Sequence, residues 1–275
     1  MPPDVESEQR TDNAADASEA AGTLRRLTWE HAVIIFLAGA GAGTINAVAG
    51  SGSLITFSTL IALGYPPVLA NVSNNIGLVP GAVSGAYGYR RELRGQRARL
   101  TRLVPASTLG GLAGAVLLLV LPSSYFKKIV IVLIVVALVL VALQPRLSAY
   151  VQSRATARST EVRPALLILV AATGVYGGYF GAAQGIILIA ILGVMLNDDL
   201  QRLNGAKNVL AGAVNLVASI VFVFAADVDW RIAGLIAAGS VIGAQLGATY
   251  GRRLDARALR AVIVVVGLVA LARLL

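Results

Sequence analysis

The stretch "GAGAGTINAVAGSGSLITF", residues 39–57, is apolar overall, dense in glycine, and carries Asn46, Ser51, Ser53 and Thr56. A second stretch, "TGVYGGYFGAAQGIILIA" at 173–190, has the same character and carries Gln184. Glycine tolerates backbone angles closed to other residues, and it also lets membrane helices pack closely. The polar side chains beside the glycines favour a break over packing alone, because irregular backbone at membrane depth survives only where protein or a wet cavity satisfies it. Breaks are predicted near 50–52 and 183–185. The apolar stretches that follow, 54–64 and 186–196, are too short to cross a hydrocarbon core of roughly 30 Å as straight helices. They read as re-entrant or half-helices starting at Ser53 or Leu54 and at Gly185 or Ile186.

The surrounding chain fixes the class. Of its 275 residues 57% are hydrophobic and only 13% charged, against about 25% charged in soluble domains. Apolar runs stand out at 102–121, 126–143, 164–196, 208–226 and 231–250. Runs of roughly 18 or more apolar residues read as membrane-spanning helices, and these do not alternate as barrel strands would. The expected fold is an all-α polytopic membrane protein with about eight hydrophobic segments. Trp29 and Trp230 sit at run ends, as interfacial anchors do. Pro66 and Pro67 read as a turn and Pro80 as a kink.

The net charge of +9 does not imply nucleic acid. The basic residues cluster between apolar runs: Arg90, Arg91, Arg94, Arg97, Arg99 and Arg102; then Arg146, Arg154, Arg158 and Arg163; then Arg252, Arg253, Arg257 and Arg260. Such loops mark the cytoplasmic side, and no nucleic-acid module accompanies them. There is no cysteine and one histidine, His31, so thiolate chemistry and Cys-ligated metals are excluded and a His-rich metal site is not expected. No Ser/His pair or paired intramembrane carboxylate is present. The chain reads as a non-enzyme, with no catalytic residue, metal or cofactor. Residues 1–23 are acidic and polar, a tail that cannot bury a core and is expected to be disordered.

The chain repeats itself. A single gapless shift brings Gly52 onto Gly185, Asn71 onto Asn204, Asn74 onto Lys207 and Asn75 onto Asn208. It also brings Ser107, Gly110 and Gly114 onto Ser240, Gly243 and Gly247. The expected organisation is a tail at 1–23, a first repeat at 24–143, a cytoplasmic linker at 144–163 and a second repeat at 164–275. The basic loop 90–102 maps onto the acidic 223–235, and the basic 252–260 onto the nearly neutral 119–127. Positive loops that exchange places are the mark of inverted repeats, although Arg25 and Arg26 would draw the N-terminus inward.

Asn71, Asn74 and Asn75 share a helix face, as do Asn204, Lys207 and Asn208. Single amides often only tie membrane helices together. Matched clusters beside matched breaks point instead to a solvated site near the midplane. Lys207 is the sharpest member, since an intramembrane ammonium is functional by default; the alternative is that it snorkels toward Asp198 and Asp199. Helix N-termini favour anions. The candidate substrate-binding residues are therefore Asn46, Ser51, Gly52, Ser53, Asn71, Asn74, Asn75, Gln184, Gly185, Asn204, Lys207 and Asn208.

Three motifs, "INAVAGSGSLITF", "PPVLANVSNNIGLVPGAVSGAYGYRREL" and "GVYGGYFGAAQGIILIAILGVMLNDDLQRLNGAKNVLAGAVNLVASIVF", resemble the sulfite exporter TauE/SafE family of bacterial membrane permeases. The resemblance covers nearly everything after the tail. It implies a multi-pass bacterial inner-membrane transporter with duplicated halves, moving small inorganic or organic anions, often sulfur oxyanions or organosulfonates. Ser51, Ala183 and Ser58 depart from residues common in the family, which bears on which anion is moved. The expected function is export of a small anion by alternating access between the repeats. An anion channel or a carboxylate transporter of the same architecture is the alternative. The bilayer and the anion are the expected partners; the oligomeric state is not legible.

Overall fold

The computed structural model describes residues 27–153, 162–251 and 256–275. The tail and linker residues 154–161 lie outside the described residues. Every element among the described residues is helical: α1 Trp29–Val48, α2 Ser53–Ala62, α3 Pro67–Gly88, α4 Arg97–Val120, α5 Ser123–Ser153, α6 Pro164–Tyr179, α7 Gln184–Met195, α8 Leu200–Ala225, α9 Trp230–Tyr250 and α10 Ala256–Leu274. Five of these, α1, α4, α8, α9 and the Tyr125–Leu147 part of α5, are long and apolar enough to cross a membrane. The short helices α2 and α7 follow the expected breaks, within one residue of the expected starts. Each long apolar region at a break is thus two helices, and the described residues hold ten helices. Helix α5 runs to Ser153, so helical structure enters the polar stretch that begins at 144.

The chain divides into two compact units, Met1–Val33 and Ile34–Leu275. In the described part of the first, the Thr28 hydroxyl accepts the His31 N–H at 3.3 Å, an N-cap that satisfies one orphan donor at the start of α1. The second unit holds the remainder of α1 and the other helices.

Within this second unit the helices bury one stripe and expose another. In α5 Phe126, Val130, Ile134, Ala137 and Val141 are fully buried, while Val132, Val135, Val136 and Val139 are exposed. The buried residues recur at three- and four-residue steps, one helical face. The exposed ones are as apolar as the core, which suits hydrocarbon and not water.

Glycine contacts set the tightest interfaces. Helix α4 lies on α6 so closely that a Cβ on Gly110 would sit 2.0 Å from the Ala171 carbonyl oxygen, and one on Gly114 2.1 Å from that of Val175. Helix α9 approaches α1 in the same way: a Cβ on Gly243 would sit 1.9 Å from the Ala40 oxygen, and one on Gly247 2.5 Å from that of Thr44. Serine contacts recur too. The Ser107 hydroxyl of α4 donates to the Leu210 carbonyl of α8 at 3.2 Å. The repeat shift pairs Ser107 with Ser240 and Gly77 with Leu210. The Ser240 hydroxyl of α9 donates to the Gly77 carbonyl of α3 at 3.1 Å.

Candidate functional site

Each break turns on a glycine with positive φ: Gly50 at 82° and Gly181 at 75°. Only glycine enters this region without steric cost. The two turns are alike in detail. Gly50 N–H donates to the Ile45 carbonyl at 2.9 Å and Gly181 N–H to that of Tyr176 at 3.1 Å. The gapless shift would carry Gly50 to Ala183 and not to Gly181, so it falls slightly out of step at the breaks. Ala183, at φ 60°, is the one non-glycine with positive φ among the described residues.

The breaks touch each other. Gly185 N–H donates to the Gly50 carbonyl at 3.0 Å, and the Ser53 hydroxyl donates to the Gly181 carbonyl at 3.0 Å. Phe57 and Phe180 meet edge to face, with centroids 5.0 Å apart. The Asn46 carboxamide oxygen accepts the Gly52 N–H at 2.7 Å, closing the first break from within. The Tyr176 hydroxyl donates to the Ala182 carbonyl across the second.

The helix ends exposed by the breaks are bonded by distant helices. Lys207 of α8 is 1% exposed. Its ammonium donates to the carbonyls of Asn46 at 2.8 Å and Ala47 at 3.3 Å, in the last turn of α1. Asn208 donates to the same Ala47 carbonyl at 3.3 Å. A helix C-terminus carries partial negative charge, so a cation there is stabilised. At the end of α6, Asn71 of α3 donates to the Tyr179 carbonyl at 3.0 Å. Lys207 does not snorkel to Asp198. That carboxylate is bound by Arg99 and Arg202, each at 2.7 Å. Burial raises its pKa, but the bonds from Arg99, the Asp199 N–H and Arg202 outweigh this and hold it below the usual carboxylate value.

Between these elements lies a cavity of about 50 Å³, room for roughly three to five waters. Of the candidate residues, Asn46, Ser53, Asn74, Asn75, Gln184, Gly185, Lys207 and Asn208 line it. Ser51, Gly52, Asn71 and Asn204 do not. Asn71 serves the end of α6, Gly52 gives its N–H to Asn46, and Asn204 is buried, 6% exposed. The N–H groups of Gly52, Gln184 and Gly185 are all bonded to protein acceptors. The break helices therefore contribute their dipoles and side chains here, and at these three positions no free N–H.

Lys207 is the one charged residue among the described residues lining the cavity. A lysine ammonium has three donors, and two hydrogen bonds to carbonyls are made here. Asn74 and Gln184 are 2% and 3% exposed; the Asn74 Oδ1, an acceptor, and the Gln184 Nε2, a donor, are buried without a hydrogen-bond partner. Buried amides are costly unless bonded, so a polar guest would be welcome. Sequence reasoning missed Asn215, Ser240, Gly43, Gly81 and Gly85, which also line the cavity. Asn215 lies two helical turns beyond Asn208 on the same face, and that spacing is a usable signal.

The family described as "Sulfite exporter TauE/SafE" matches residues 35–274. A "Probable membrane transporter protein ORF9" from Sinorhizobium sp. is 25% identical over 92% of this chain and 95% of its own length. A "Probable membrane transporter protein" of Haemophilus influenzae is 26% identical over 78% of this chain and 83% of its own. The "Probable membrane transporter protein YfcA" of Escherichia coli K12 is 23% identical over 88% of both. No solved structure matches.

Proposed function

The chain belongs to the sulfite exporter TauE/SafE family and is a multi-pass membrane transporter, and from that premise we propose that it exports a small anion through the cavity at the helix breaks. Sulfite or a similar sulfur oxyanion is the substrate class, and the bacterial inner membrane is the setting. The observation that carries the reading is the Lys207 ammonium, buried on a small cavity whose other polar groups are neutral amides and hydroxyls. A monovalent anion neutralises that charge, and the amides of Asn74, Asn75, Gln184 and Asn208 supply donors around it. The small volume favours a compact oxyanion over a long-chain sulfonate.

Two inverted repeats frame the cavity in this reading. It is supported by the exchanged positive loops and by contacts that recur at corresponding places in the two halves. Lys207 and Asn71 then do the same task for opposite repeats, each holding the end of the other repeat's broken helix. An anion leaving a cytoplasm at negative potential gains about 2.3 kcal/mol per charge per 100 mV, so export needs no proton relay.

Ligand-induced stabilisation tests the reading, because a ligand that binds the folded state raises its melting temperature. Titrating purified protein with sulfite, sulfate, thiosulfate and small carboxylates should raise Tm for at least one small anion. Lys207→Met should abolish the shift. A shift of equal size in Lys207→Met would take the ammonium out of the site.

A further inference from the structure

Glycine is the least favourable residue in a helix interior after proline, so each cavity glycine needs a reason. For most, packing supplies it. A Cβ would sit 2.2 Å from the Ser240 oxygen on Gly43, 2.4 Å from the Gly185 Cα on Gly50, 2.5 Å from the Ser240 hydroxyl on Gly81, and 2.3 Å from the Gly50 Cα on Gly185. Gly181 has positive φ. Gly85 has neither reason. Its backbone is not in the positive-φ region. The nearest atoms to an added Cβ would be Ala244 Cβ at 3.8 Å, Asn208 Nδ2 at 3.9 Å and Ala47 Cβ at 4.0 Å, all ordinary contacts. Alanine would fit, and the helix would gain from it.

What a methyl at 85 would take is space in the cavity. The lining residues of α3 run from Asn74 to Gly85, and Gly85 is the last before the helix ends at Gly88. It is buried, next to the Asn208 amide that points at the end of α1. The same cavity is lined by Gln184, which is buried and whose Nε2 is a donor without a partner. We propose that Gly85 is a specificity-determining residue, whose missing side chain sets the largest anion the cavity admits beside Asn208. This rests on the anion-transport reading and deepens it. The substrate class is oxyanions of sulfite or sulfate size, with Gly85 as the gauge that sets the upper limit.

The test compares anion flux in proteoliposomes for the wild type, Gly85→Ala, Gly85→Ser and a control, Gly234→Ala, over formate, sulfite, sulfate and ethanesulfonate. Gly234 lies on an exposed face of α9, where an added Cβ meets nothing within 4 Å. Gly85→Ala should melt at or above the wild-type temperature. The ratio of formate flux to flux of the bulkiest anion that the wild type carries should rise at least tenfold in Gly85→Ala and Gly85→Ser, and stay unchanged in Gly234→Ala. An unchanged ratio in folded protein would overturn the proposal, and so would an equal loss for every anion. Poor folding of Gly85→Ala would also overturn it, since the space would then not be free. A wild type that carries none of these anions would sink the transport reading itself, and the gauge with it.

Discussion

Lys207 carries two tasks on one side chain. It donates to the Asn46 and Ala47 carbonyls and it faces the cavity. Truncation therefore removes both the charge proposed to hold the anion and a helix-end partner, and a buried carbonyl that loses its partner costs about 1–3 kcal/mol. Asn71 separates these tasks. It holds the Tyr179 carbonyl but does not line the cavity. Asn71→Ala should lower stability by about 1–3 kcal/mol, read as a fall in Tm, while the affinity for anion per folded molecule stays within threefold of wild type. Gly50→Ala should fail more broadly. A Cβ there meets Gly185 Cα at 2.4 Å on a backbone at φ 82°, and the cost should exceed about 2 kcal/mol. Lys207 is legible in the sequence because an ammonium among apolar runs demands a partner. Its partners are not legible, because they are backbone carbonyls far away in the chain, and backbone leaves no mark on residue identity. Gly85 and Gly114 look alike in sequence; only the neighbours show that one opens a cavity and the other closes an interface.

At the scale of elements, the helices are joined by close glycine contacts and by an ion-pair clasp. Gly114→Val should separate α4 from α6, since a Cβ would sit 2.1 Å from the Val175 oxygen; folded monodisperse protein in detergent should fall severalfold. Asp198 ties α4 to the start of α8 through Arg99 and Arg202. Arg202 also donates to the Arg94 carbonyl, and Gln96 to that of Arg202. The Asp198 pKa is lowered in the folded protein. Its stabilisation is therefore complete above the unfolded carboxylate value of about 3.9 and is lost as pH falls through the lower folded value. Thermal melts below about pH 4 should show an acid-side loss that Asp198→Asn flattens, and that variant should cost about 1–2 kcal/mol at neutral pH, between exposed and buried pairs. The breaks were legible as elements, because glycine beside amides inside an apolar run has few other readings. Their register was not. The shift that aligns α3 with α8 carries Gly50 past Gly181, the glycine with the matching positive φ, a small slip of the kind loops absorb.

For the whole molecule, the proposed inverted arrangement makes a topological prediction. Single cysteines replacing Gly95 and Asp229 should label from opposite sides of the membrane; labelling from one side would rule out inversion. The class was legible from composition alone, since runs this apolar and this numerous fit no soluble core. Which helices face each other was not, because glycine stripes allow many pairings and only the fold selects α4 with α6 and α9 with α1 and α3. The proposed site depends on that selection, since it brings residues from α1, α2, α3, α7, α8 and α9 to one cavity. The most direct test is sulfite flux by purified protein in liposomes under an imposed membrane potential. The wild type should carry sulfite, faster when the potential drives anions outward, and Lys207→Met should lose at least tenfold. Undiminished flux through folded Lys207→Met, or no flux of any small anion through the wild type, would contradict the account.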